Sequence, residues 1–103
     1  MMTFTATYAV VGTSFHQPAI APLTVGDAVL VVHQPDNEYD PNAVAVMSTA
    51  GQVLGYLPKK LAPRFTDPQH GGTPGGSWHG EIVEFTEFEQ TDGSPGRGLR
   101  IRL

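Results

Sequence analysis

This sequence of 103 residues predicts a mainly β fold, a small barrel of OB or SH3 type with about six strands and one or two short helices. Three observations predict it. Glycine (12) and proline (9) are enriched while charged residues make up only 16%, a mixture that suits short strands joined by many turns and not a helical bundle. Stretches rich in β-branched and aromatic residues are separated by clusters of Gly, Pro, Asn and Asp. There is neither an internal repeat nor an alternation of strands with long helices, which leaves solenoids and doubly wound parallel sheets without support.

Taken in order, Phe4 to Val11 alternates as a strand, with Phe4, Ala6 and Tyr8 on one face and Thr3, Thr5 and Thr7 on the other. Gly12 ends it. Thr13 to Val25 carries Pro18 and Pro22 without a sustained period, and the turn Thr24 to Asp27 launches a second strand over Ala28 to His33. Ala43 to Ser48 and Gln52 to Tyr56 flank Gly51, which can adopt the positive φ of a tight hairpin. In LPKKLAPRF, Leu61, Ala62 and Phe65 share one helical face while Lys59, Lys60 and Arg64 face water, and Pro63 limits the helix to two or three turns. Residues 67–77 hold four glycines and two prolines and read as a mobile loop inside one domain spanning 1–103. Trp78 to Glu89 and Leu99 to Leu103 make a last hairpin across TDGSPGRG, placing Arg100 and Arg102 opposite Glu84, Glu87 or Glu89. A chain of this length buries roughly 65% of its unfolded surface, enough for a single core.

Several chemistries find no support. Without cysteine there is no disulfide, thiolate nucleophile or Cys-based zinc site. The longest apolar runs, such as AVLVV, are too short to span a bilayer and MMTFTATY lacks the pattern of a signal peptide, so a cytoplasmic protein with no membrane partner is expected. The net charge of −4 opposes nonspecific coating of a nucleic acid. Asp36, Glu38 and Asp40 open like a calcium loop, but Pro41 and Met47 occupy the positions that need Gly and a bidentate Glu. His16, His33, His70 and His79 lack metal-ligand spacing and read as scattered polar or half-buried residues. No GxSxG, GxxxxGK[ST] or GxGxxG occurs, and no cofactor is expected.

The densest polar chemistry lies in VVHQPDNEYDPNAVAVM, Val31 to Met47, where carboxylates, asparagines, prolines and a tyrosine crowd between two apolar runs. Together with VVGTSFH (Val10 to His16) and GQVLGYLPKKLA (Gly51 to Ala62), the segment PDNEYDPNAVAV resembles the HIRAN family, in the same order and with natural spacing. HIRAN domains occur at the N-termini of SWI/SNF-type DNA-remodelling helicases and as small free-standing bacterial and phage proteins. The chain looks like the second kind, since no helicase motif accompanies it. The resemblance implies an OB-like barrel that, in the helicase version, holds the 3′ end of single-stranded DNA during replication-fork remodelling, so a role in DNA repair or fork processing is expected. The positions matching the family's binding motif are Ser14, Phe15 and His16, then Asn37, Tyr39 and Asp40, then Tyr56 and Lys59, with Lys60 beside them. Where the helicase version has an arginine and two tyrosines, this chain has Ser14, Phe15 and His16, and where it has a histidine, this chain has Tyr56.

The chemistry of these residues fits that implication. Aromatic rings such as Phe15 and Tyr39 offer surfaces on which bases stack. A carboxylate such as Asp40 accepts a hydrogen bond from a terminal 3′-hydroxyl and repels the phosphate of an internal nucleotide, Asn37 can share that hydroxyl or a base edge, and Lys59, Lys60 and Arg64 form the one compact basic patch. Plainer roles stand beside these: Asp40 before Pro41 and Asn42 after it are natural turn residues, Phe15 suits a core, and Tyr39 suits a cover for the barrel mouth. Two further readings differ in class. One is a protein-interaction module, with the cleft or the Glu84 to Glu89 edge docking a helicase or nuclease partner. The other is a small metal-dependent hydrolase using Asp36, Glu38 and Asp40; the non-enzymatic reading is preferred because nothing nearby supplies an oxyanion stabiliser.

Overall fold

The structure, a computed structural model, describes residues 6–103. Its strands are β1 (Thr7–Ala9), β2 (Ala28–His33), β3 (Val44–Ser48), β4 (Val53–Tyr56), β5 (Ser77–Glu89) and β6 (Pro95–Arg102), with short helices α1 (Gln17–Ile20) and α2 (Pro63–Thr66). All pair antiparallel in one sheet of order β1-β6-β5-β2-β3-β4. Thr3, Phe4 and Thr5 of the expected first strand lie outside the described residues.

The sheet curls into a partly closed barrel, and the point of closure is specific. Val11, just past β1, exchanges two backbone hydrogen bonds with Tyr56 of β4 at 2.8 and 2.9 Å, joining the two ends of the strand order. Gly55 permits this approach: a Cβ there would stand 2.5 Å from the Val11 carbonyl oxygen and 2.6 Å from Val10 Cγ1. Inward-facing side chains of the strands supply the interior. Val29 and Val31 of β2, Val44 and Val46 of β3, Leu54 of β4, Ile82 of β5 and Leu99 and Ile101 of β6 are buried, and Ile20 of α1, Leu57 and Ala62 complete the core. Each buried Val, Leu or Ile side chain contributes about 1.5–3 kcal/mol relative to exposure.

Four expectations need correction. The last strand begins at Pro95 and not at Leu99, because Gly96 and Gly98 are packing positions: a Cβ at Gly96 would meet the Phe88 ring at 2.7 Å, and one at Gly98 would meet Thr86 Oγ1 at 2.6 Å. Pro63 opens α2 instead of limiting a longer helix. The residues before it make a separate turn in which the Pro58 carbonyl accepts from the Leu61 and Ala62 amides. Residues in 13–25 read as irregular contain a 3-10 turn at Thr13–Phe15 and the helix α1. Arg102 pairs with Glu81 rather than with Glu84, Glu87 or Glu89, and Arg100, opposite Glu84 in register, donates to the Thr7 hydroxyl at 3.3 Å.

In the Gly/Pro-rich stretch, Asp67 caps the 3-10 turn Pro68–His70 by accepting from the Gln69 amide, and the Thr73 amide donates to Phe65 O at 2.7 Å. The Gln69 amide and, next, His70 hold the Asp67 carboxyl below the ordinary aspartate value. No helix among the described residues is long and apolar enough to cross a membrane.

Candidate functional site

Between the turn after β1, the β2–β3 loop and the end of β4 lies a cleft of about 770 Å³. Val11 and Phe15 come from the first segment, Asn37, Tyr39, Asp40 and Ala43 from the second, and Tyr56, Leu57 and Lys59 from the third. Six of the nine residues singled out from the sequence therefore converge here: Phe15, Asn37, Tyr39, Asp40, Tyr56 and Lys59. Ser14 and Lys60 are exposed beside the cleft without lining it, and His16 is half-buried at the start of α1, where its carbonyl accepts from the Ala19 and Ile20 amides. Val11, Ala43 and Leu57, not selected beforehand, add apolar wall.

Two aromatic rings are presented to solvent at the cleft. Phe15 is 84% exposed and Tyr39 is 89% exposed, so neither is a core side chain and Tyr39 does not cover a closed barrel. Phe15 reaches this position because Gly12, at φ 77°, turns the chain out of β1 into the 3-10 turn, where the Phe15 amide donates to Gly12 O. Gln17 ties this turn to β6: its Nε2 donates to Thr13 O at 2.8 Å and Arg97 O at 2.9 Å, while its Oε1 accepts from the Arg97 amide at 2.8 Å. One carboxamide thus satisfies both backbone groups of Arg97 as a neighbouring strand would.

The β2–β3 loop is built by its own side chains. Asn37 Oδ1 accepts from the Tyr39 amide at 2.9 Å and the Asp40 amide at 3.0 Å, and Nδ2 donates to Gln34 Oε1 at 3.0 Å. Asp40 Oδ1 accepts from the Asn42 amide at 2.9 Å, and Asp40 O accepts from the Ala43 amide at 3.0 Å. Asp40 Oδ2 has no hydrogen-bond partner among the described residues, so the carboxylate serves the turn with one oxygen and keeps the other available. Asn37, by contrast, is largely committed to shaping the loop, with one Nδ2 hydrogen to spare.

The cleft combines exposed aromatic rings, an unpaired carboxylate oxygen and an ammonium group, with the exposed Lys60 next in sequence to Lys59. Among the described residues no three of His, Asp and Glu come together in an arrangement able to hold a metal ion, and Asp36, Glu38 and Asp40 are no exception.

The family model of the HIRAN domain matches residues 3–67, which contain every residue of the cleft. Two crystal structures share the fold. A protein from Lactobacillus plantarum is 24% identical, with a TM-score of 0.60 over 96% of this chain and 97% of its own. The HIRAN domain of human HLTF is 19% identical, with a TM-score of 0.58 over 95% of this chain and 73% of its own. None of the curated proteins matches the sequence.

Proposed function

This chain belongs to the HIRAN domain family, and on that premise we propose that it is a DNA-binding module whose cleft takes the 3′ end of a single strand. The observation that carries the reading is the convergence of six motif-position residues from three separate segments on one cleft, two of them exposed aromatic rings and one a carboxylate with a free oxygen. Phe15 and Tyr39 stack the terminal bases. Asp40 Oδ2 accepts from the 3′-hydroxyl, and a further phosphate at that place would meet it anion against anion, a repulsion of about 1–4 kcal/mol at 4 Å between the aqueous and near-surface limits. Lys59 meets the penultimate phosphate, with Lys60 and Arg64 beyond it. The spare Nδ2 hydrogen of Asn37 is available to a base edge or sugar oxygen. A module of this kind acts in repair or replication-fork processing by delivering a DNA end to a helicase or nuclease, and does no chemistry itself.

With so few cations the salt dependence is shallow: one or two phosphate contacts give a slope of log K against log[salt] of roughly −0.7 to −1.4 for single strands. Fluorescence anisotropy of a short labelled single strand, against the same sequence in a blunt duplex, tests the reading. Preferential binding of the single strand with that slope supports it. Absence of binding to either at low salt would overturn it. That outcome would favour the protein-interaction alternative, for which the exposed Glu84, Glu87 and Glu89 on β5 and the net charge of −4 are the supporting features.

A further inference from the structure

We infer that His33, which does not line the cleft, is the positioning residue that aims the Asp40 carboxylate. The inference rests on the proposed reading of the cleft. His33 ends β2 and is only 7% exposed, yet both ring nitrogens are bonded. Nδ1 accepts from the Gly75 amide at 2.8 Å, and Nε2 lies 2.8 Å from Pro41 O. A backbone amide only donates and a carbonyl only accepts, so the two partners dictate the neutral ring with its proton on Nε2.

Pro41 is the residue after Asp40, and its carbonyl belongs to the peptide unit whose N–H is that of Asn42. That unit is planar, so fixing its C=O fixes its N–H. The Asn42 N–H donates to Asp40 Oδ1 at 2.9 Å. A single chain of hydrogen bonds therefore runs from the Gly75 amide through the imidazole and the Pro41–Asn42 peptide to the Asp40 carboxylate, each link polarising the next. Its far end is the oxygen pair of which Oδ2 is left for a ligand. The near end is firmly held, because the His33 amide also donates to Gly76 O at 3.0 Å. Proline has no N–H of its own, so the Asp40–Pro41 corner lacks a backbone donor there, and its carbonyl is the handle by which the corner is held.

Two near-isosteres separate the halves of this device. In His33→Gln the side-chain amide nitrogen can stand where Nε2 stands and keep the Pro41 bond. In His33→Asn the side-chain oxygen can stand where Nδ1 stands and keep only the Gly75 bond. We expect His33→Gln to bind a 3′-hydroxyl single strand within about threefold of wild type, and His33→Asn to lose about fivefold or more, the equivalent of one hydrogen bond, at comparable urea midpoints. Equal losses in both variants, or wild-type binding in His33→Asn, would overturn the inference. A readout without DNA keeps it distinct from the function itself: the imidazole ¹⁵N spectrum of the wild-type protein should show the Nε2–H tautomer, and the Asn42 amide should lose exchange protection in His33→Asn alone. An Nδ1–H tautomer, or unchanged protection at Asn42, refutes the positioning role. If wild type binds no DNA while these signatures hold, the reading of the cleft has failed and the positioning of Asp40 stands.

Discussion

Replacing Gly55 with alanine should damage stability and binding together. The new Cβ would lie 2.5 Å from Val11 O and 2.6 Å from Val10 Cγ1, distances at which the backbone must shift. The shift acts on the bridge between Val11 and Tyr56, whose two hydrogen bonds contribute about 1 kcal/mol each. Overpacking adds about 1–3 kcal/mol, so the whole is about 4 kcal/mol. That is a large part of the roughly 5–15 kcal/mol typical of a domain. Val11 and Tyr56 also line the cleft, so separating them moves Phe15 away from Tyr39 and Asp40. Urea unfolding followed by the single tryptophan, Trp78, which packs edge-on against Phe65 at 5.2 Å, measures the stability loss. Gly51→Ala is the control: nothing lies within 4 Å of its Cβ, and only the φ of +83° resists, at about 1–2 kcal/mol. A Gly55→Ala protein as stable as wild type, or no less stable than Gly51→Ala, would refute the account of barrel closure.

Gln17→Leu keeps the bulk of the side chain and removes three hydrogen bonds, two of them to Arg97, so a loss of about 2 kcal/mol in urea unfolding is expected, with weaker binding because the Phe15 turn loses its anchor. Tyr39→Ala and Phe15→Ala remove exposed rings and should leave the urea midpoint unchanged while each costs about 1–3 kcal/mol of single-strand affinity by anisotropy. Asp67 and Asp92 should titrate below the ordinary aspartate range by carboxyl NMR, the first held down mainly by the Gln69 amide and the second mainly by the Ser94 hydroxyl. Because these folded values are depressed, any stability the two groups lend is present above the ordinary aspartate pKa and is lost as pH falls through the lowered values.

What could be read in advance follows the range of the forces involved. β2 spans Ala28–His33 as read, because a short run of β-branched and apolar residues between a turn and a polar loop is a local signal. The β2–β3 loop was legible for a similar reason, since Asn37 and Asp40 cap amides only two or three positions away. The resemblance pointed to Asn37 as a ligand contact, and what it could not show is that the Asn37 oxygen already accepts from two amides of the loop, leaving only an Nδ2 hydrogen for a ligand. Gln17 and His33 could not be singled out as anchors, because their partners Arg97 and Gly75 lie far along the chain and only the fold brings them near. Gly96 and Gly98 carry the signature of a turn, and only the Phe88 and Thr86 side chains across the hairpin reveal that small residues are required within a strand. The convergence of Phe15, Tyr39 and Lys59 depends likewise on the Val11–Tyr56 bridge, a contact with no local signal.

The central claim is that the cleft reads a 3′-hydroxyl through Asp40. Its most direct test is anisotropy of two short single strands identical except for a 3′-hydroxyl or a 3′-phosphate, titrated with wild-type protein and with Asp40→Ala. The account predicts that wild type favours the hydroxyl end by about tenfold or more, the equivalent of 1.4 kcal/mol, and that Asp40→Ala abolishes the preference. Equal affinity of wild type for both ends, or a preference that survives Asp40→Ala, would contradict it.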